Sequence, residues 1–78
     1  MNLDVYNKIF ESLFDVEEIQ LNNEFNSDTV SDWDSLAHME LVSQIEDAFD
    51  IMLETDDIIQ FKGYEHGKKI LEKYGIII

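Results

Sequence analysis

Trp33-Asp34-Ser35-Leu36-Ala37-His38-Met39-Glu40-Leu41-Val42-Ser43-Gln44-Ile45-Glu46-Asp47-Ala48-Phe49-Asp50 carries the most regular apolar spacing in the chain. Leu41, Val42, Ile45, Ala48 and Phe49 fall on one side at about 100° per residue, which predicts an amphipathic helix over residues 35–50. The opposite face holds Leu36, Met39, Glu40, Ser43, Glu46, Asp47 and Asp50. Most of it is acid, as a solvated face should be. Leu36 and Met39 are not what solvent asks for. Two apolar side chains among carboxylates have the make-up of docking anchors with a charged rim. Exposed single apolar residues are also common without any function, and helical spacing leaves both readings open. Ser35 opens this helix. A helix N-terminus offers unpaired N–H groups and partial positive charge, a natural seat for a phosphate on that serine. The plainer reading is that Asp34 or Ser35 is an N-cap and nothing more.

Upstream, Leu3, Tyr6, Ile9, Phe10, Leu13 and Phe14 form one helical stripe, which predicts a helix over 3–14 with Asn2 as its cap and Asp4 at its positive end. Residues 15–34 are turn-prone through Asn22-Asn23, Asn26-Ser27-Asp28 and Ser31-Asp32. A loop of that length in a small domain needs anchors; Val16, Ile19, Leu21, Phe25 and Val30 are the candidates. Downstream, Thr55 is placed to cap a short helix with Asp56 and Asp57 in its first turn and Ile58, Ile59 and Phe61 inward. Gly63 breaks the chain, and a last helix follows over 64–74 with Tyr64, Ile70, Leu71 and Tyr74 on one face. Gly67 shares that face, which allows close approach at a helix-propensity cost of about 1 kcal/mol. Gly75 ends the helix, and the apolar tail Ile76–Ile78 is expected to fold back. The expectation is an all-α fold: one domain over residues 1–78, a small four-helix bundle of three main helices and one short one, with a long first loop.

Charge narrows the function. Eighteen acids face five lysines and no arginine, for a formal net charge of −13. Residues 1–57 hold sixteen of the acids and only Lys8 among cations, whereas residues 58–78 hold Lys62, Lys68, Lys69 and Lys73 against Glu65 and Glu72. Such a field repels nucleic acid and anionic membranes and attracts basic partners; the plainer reading is that the acidity only aids solubility, and composition leaves both open. No apolar run approaches the length of a membrane span, and the start Met1-Asn2-Leu3-Asp4 lacks the features of a secretory signal. A cytoplasmic monomer is expected. With no cysteine there is neither disulfide nor thiolate chemistry.

Asp34-Ser35-Leu36, followed by Met39-Glu40-Leu41-Val42, Ile45-Glu46 and Ala48-Phe49-Asp50-Ile51, resembles the acyl carrier protein family, and the resemblance extends over essentially the whole chain. It implies that Ser35 is the attachment site of 4′-phosphopantetheine, transferred from coenzyme A by a separate phosphopantetheinyl transferase that holds magnesium. It implies that Asp34 is the acid preceding that serine. It also implies that Leu36, Met39, Glu40, Glu46 and Asp47 form the docking face for acyl-loading and acyl-transfer enzymes with basic patches. The chain would carry acyl groups as thioesters in fatty-acid, polyketide or specialised acylation pathways and catalyse nothing itself. Two features depart from the family's pattern. Asp32 stands where many members have glycine, and Glu54 stands near the usual proline before the third helix. Trp33-Asp34-Ser35-Leu36 resembles free-standing carriers of specialised pathways, such as surface polysaccharide acylation or amino-acid activation.

Rival readings are an aminoacyl or peptidyl carrier and, further off, an acidic non-enzymatic interaction protein. A Ser35–His38–Asp34 catalytic site is disfavoured, because His38 lies toward the core side and no oxyanion hole is in prospect. His66 reads as a surface residue. Asp28, Asp32 and Asp34 lack the glycine and terminal glutamate of an EF-hand, so no metal is expected.

Overall fold

Tyr6, Ile9, Phe10 and Phe14 recur every three or four residues, and in the computed structural model, which describes all residues 1–78, they bury one face of α1 (Asn2–Phe14). Leu41, Val42 and Ile45 do the same for α2 (Ser35–Phe49). A short α3 (Thr55–Gln60) and α4 (Tyr64–Glu72) complete an all-α bundle with no strand element. Three main helices, one short helix and a long loop after α1 stand as the sequence led us to expect. Both α1 and α2 stop on an aspartate in the left-handed conformation, Asp15 at φ 55° and Asp50 at φ 54°; a short polar side chain tolerates that conformation better than most.

The interior is aromatic. Phe10 packs against Tyr6, Phe14, Phe25, Trp33 and Tyr64 with ring centroids 4.9–6.0 Å apart. Contacts at that spacing add about 0.5–1.5 kcal/mol per pair beyond area burial. Polar atoms inside this cluster are satisfied. Tyr6 Oη donates to Tyr64 O at 2.7 Å, and the Tyr64 hydroxyl donates to the buried Asn7 side chain. Burial pushes the Tyr6 hydroxyl well above the ordinary tyrosine range.

The first loop is pinned rather than loose. Leu21, Phe25 and Trp33 are buried, with Val16 and Val30 against them. A 3-10 turn at Glu18–Gln20 interrupts it. Tyr64 N donates to Phe25 O and Ser27 N donates to Lys62 O, both at 2.9 Å, around an isolated antiparallel bridge between Asn26 and Gly63. The loop is thereby stitched to the α3–α4 connection.

Several expectations are corrected. Asn2 lies within α1 and does not cap it, because its amide donates to Ile77 O at 3.0 Å and holds the C-terminal tail instead. Leu3 remains exposed in the first turn. Ile19 is 86% exposed, since the capping box between Glu17 and Gln20 fixes the turn while the core is reached by Leu21. Ala48 is exposed; its single methyl cannot reach the core that Phe49 partly enters. Thr55 is the first helical residue of α3, with Glu54 in the cap position. Ile59 is 56% exposed, because six residues of helix bury one face only and Ile58 and Phe61 occupy it.

α3 is held instead by Asp57. Its carboxylate accepts from Lys73 Nζ at 2.6 Å and from the Tyr74 hydroxyl, while Glu54 N donates to Tyr74 Oη at 2.9 Å. The Lys73 ammonium, and next the Tyr74 hydroxyl, hold the Asp57 carboxyl below its ordinary value of 3.8. A depressed carboxylate stabilises the fold above its unfolded pKa, and that contribution is lost as pH falls through the folded one. Asp57→Ala should therefore melt lower than wild type at pH 7, and the two melting curves should converge as pH drops below about 4. A constant gap across that range in calorimetry would show that charge pairing at Asp57 does not contribute.

Candidate functional site

Asp34 and Ser35 divide the start of α2 between them. The Asp34 backbone is extended, and its Oδ1 accepts from Ala37 N at 2.9 Å, so the aspartate is the N-cap. Ser35 is the first helical residue. It is exposed, and its hydroxyl has no hydrogen-bond partner within the chain. A serine in the cap position would have its oxygen committed to a backbone N–H; here the aspartate makes that bond and the serine oxygen is free.

Ser35 lines a groove of about 560 Å³. Trp33, His38, Met39, Ile58 and Ile59 supply its apolar and aromatic surface, and Ser27 and Lys62 its far rim. Trp33 Nε1 donates to His38 Nδ1 at 3.1 Å. His38 Nε2 lies 2.7 Å from Ile58 O. A carbonyl only accepts and an indole N–H only donates, so His38 carries its proton on Nε2 and gives it to Ile58. This link ties α2 to α3 across the floor of the groove. Both imidazole nitrogens are engaged away from Ser35, and the Asp34 carboxylate is on Ala37, so no relay from aspartate through histidine to serine exists.

Beyond Ser35, the outer face of α2 is as the helical spacing laid it out. Leu36 is 80% and Met39 57% exposed, and Glu40 and Asp47 face solvent. Glu40 Oε1 accepts from Gln44 Nε2 at 3.1 Å. Glu46 is different: it is half-buried, and its Oε2 accepts from Leu53 N at 2.8 Å, which fixes the turn after α2. Ile59 joins Met39 in the groove, and Met52, after the far end of α2, is 85% exposed. The groove itself escaped the sequence, because Trp33, Ile58 and Lys62 come from three separate segments. His66 is exposed, and no group of three or more acidic or imidazole side chains is gathered to hold a metal ion.

No protein-family model and no curated protein matches this chain. Among solved structures, it is similar to the holo acyl carrier protein of Geobacter metallireducens, determined by solution NMR. The TM-score is 0.76 at 28% identity, over 92% of this chain and 83% of that one. No helix is long and apolar enough to cross a membrane. An all-α bundle of this topology, with an Asp-Ser-Leu motif opening its second main helix, is what this chain shares with that holo acyl carrier protein, and the likeness supports the acyl carrier protein family.

Proposed function

We propose that this protein carries acyl groups on a 4′-phosphopantetheine arm attached to Ser35 and delivers them to partner enzymes. The observation that carries this reading is the unpartnered, exposed Ser35 hydroxyl at the first position of α2, released from capping by Asp34 and bordered by an open groove. The arm supplies a terminal thiol on which acyl groups are held as thioesters. A phosphopantetheinyl transferase forms a bond from Ser35 Oγ to the β-phosphorus of coenzyme A. The pyrophosphate bond breaks, 3′,5′-bisphosphoadenosine leaves, and the serine proton passes to the transferase.

Partner enzymes with basic patches dock on α2. Leu36 and Met39 are the apolar anchors, and Glu40 and Asp47 are the charged rim. Glu46 contributes its negative field while its carboxylate holds Leu53. The net charge of −13 speeds such encounters, and salt should slow them, because exposed charges are screened beyond about 8 Å at physiological ionic strength. Chemistry on the cargo belongs to the partners; a tethered arm contributes by raising local concentration.

Intact mass tests the reading. The chain is incubated with coenzyme A, magnesium and a broad-specificity phosphopantetheinyl transferase, beside a carrier of known competence. A gain of one phosphopantetheinyl group is expected. A folded chain that gains nothing while the control is modified overturns the carrier reading for that transferase.

A further inference from the structure

Of the two histidines in the chain, His66 is exposed, whereas His38 is half-buried with both ring nitrogens engaged. That engagement admits one protonation state. Trp33 Nε1–H can only donate and Ile58 O can only accept, so the ring receives at Nδ1 and gives at Nε2. A second proton on Nδ1 turns this acceptor into a donor. Two N–H groups then point at each other across the 3.1 Å that the hydrogen bond had spanned. The indole offers no compensation. The rings meet through these nitrogens, with centroids 6.4 Å and planes 26° apart, so an imidazolium faces the positive edge of the indole and not its π face.

Trp33 cannot retreat. It is buried and wedged against Phe10, Phe14 and Phe25 with ring centroids 5.2–6.1 Å apart. His38 can move, because it borders open solvent. No carboxylate stands ready to hold an imidazolium in the place of the neutral ring. Asp34, one turn earlier on α2, accepts from Ala37 N. Asp57, beside Ile58 in α3, is taken by Lys73 and Tyr74. Asp32, before Trp33, lines a different depression, and the remaining charge near the ring, Lys62, is a cation. From α1 and the first loop, the side chains packed on Trp33 are uncharged rings.

We propose that His38 is an acid-operated latch: neutral, it joins Trp33 and α2 to α3; protonated, it lets go of Trp33, turns toward water and releases Ile58 O. α3 then loses its hydrogen bond to α2 and keeps those of Asp57 to Lys73 and Tyr74 on the α4 side. The opening is local, since the aromatic interior and the pairing of residues 25–27 with 62–64 do not involve the imidazole. An imidazole takes up its second proton between about pH 5 and pH 8, above the range in which ordinary carboxylates titrate. The latch therefore opens at milder acidity than the Asp57 pair, and it does so whatever Ser35 carries.

Trp33 is the single tryptophan, so its fluorescence and its indole N–H resonance read the latch directly. Both are followed from about pH 8 to about pH 5, with the Ile58 carbonyl shift as the readout at α3, for wild type, His38→Gln and His66→Gln. Glutamine supplies one acceptor and one donor without a titration. Wild type and His66→Gln should each show a one-proton transition in which fluorescence changes, the indole N–H moves upfield and the Ile58 carbonyl shifts together, with helical circular dichroism retained. His38→Gln should show none. Flat Trp33 signals in wild type would mean that the bond survives acidification, and a transition that persists in His38→Gln would assign it to another group; either overturns the latch. Movement at Trp33 without Ile58 overturns it as well, because α3 would then not be released. Should His38→Gln fail to fold, the His38 ring Cε1–H resonance of wild type decides: it must titrate with the same midpoint as the Trp33 and Ile58 signals, and a different midpoint overturns the proposal.

Discussion

Ser35→Ala should abolish the gain in mass with coenzyme A and leave the melting temperature where it is. The first half follows from chemistry: alanine has no oxygen to bond to phosphorus, and the nearby hydroxyls cannot substitute from their positions. Ser27 lies across the groove on the first loop, and Ser43 lies two turns further along α2. The second half follows from the division of labour at the start of α2. The cap bond runs from Ala37 N to Asp34, and Ser35 is exposed with no partner to lose. Alanine is also a better helix former than serine. Asp34→Ala is the complementary variant. It should lose about 1 kcal/mol with its cap, which lowers the melting temperature by roughly 4–8 °C in a domain of this size. It keeps the Ser35 hydroxyl, so modification should slow without vanishing. The pair separates attachment from architecture. Full modification of Ser35→Ala would place the attachment elsewhere, and a large fall in its melting temperature would mean that the serine holds the helix after all.

Gly67→Val should be the most damaging single change in the bundle. A helical glycine replaced by alanine ordinarily gains about 1 kcal/mol of helix propensity. At Gly67 the sign should reverse. An added Cβ would fall 2.6 Å from Phe61 Cε1, and closer still to Phe61 Cζ and the Tyr6 hydroxyl. Neither neighbour can retreat. Phe61 and Tyr6 are fully buried, and the Tyr6 hydroxyl is held by Tyr64 O at 2.7 Å. Overpacking of this kind costs about 1–3 kcal/mol for small additions and more for larger ones. Gly67→Ala should therefore melt below wild type, and Gly67→Val, with two further methyls, well below that. A chain this short is held by only about 4–12 kcal/mol, at roughly 0.05–0.15 kcal/mol per residue, so the valine variant should be largely unfolded at 37 °C. Thermal unfolding followed by circular dichroism decides it. An alanine variant that melts above wild type would show that the contact between α4 and the Phe61–Tyr6 wall yields.

Periodicity reached its limit where single turns and end effects take over. The stripes Tyr6–Phe14, Leu41–Ile45 and Tyr64–Leu71 were legible because a buried face repeats every three or four residues whatever it packs on. Ala48 and Ile59 followed the same spacing and are exposed, since spacing does not say where the neighbouring helix ends. Asn2 and Thr55 had the chemistry of caps, but Asn2 is occupied by the C-terminal tail, and Thr55 lies one residue inside its helix.

The motif at Asp34-Ser35-Leu36 and the exposed Leu36 and Met39 were determined by sequence alone, because a cap, a first helical position and an outer face are all set within a few residues of chain. Tertiary structure decided which of the two residues caps and which hydroxyl is left free. It decided that Glu46 turns to Leu53 N. It also brought Trp33, Ile58 and Lys62 to one groove through the hydrogen bonds of His38 and the pairing of residues 25–27 with 62–64. The physical reason is range. Helix caps and faces arise from contacts three or four residues apart, whereas a groove is the space left between segments whose separation along the chain says nothing of their distance.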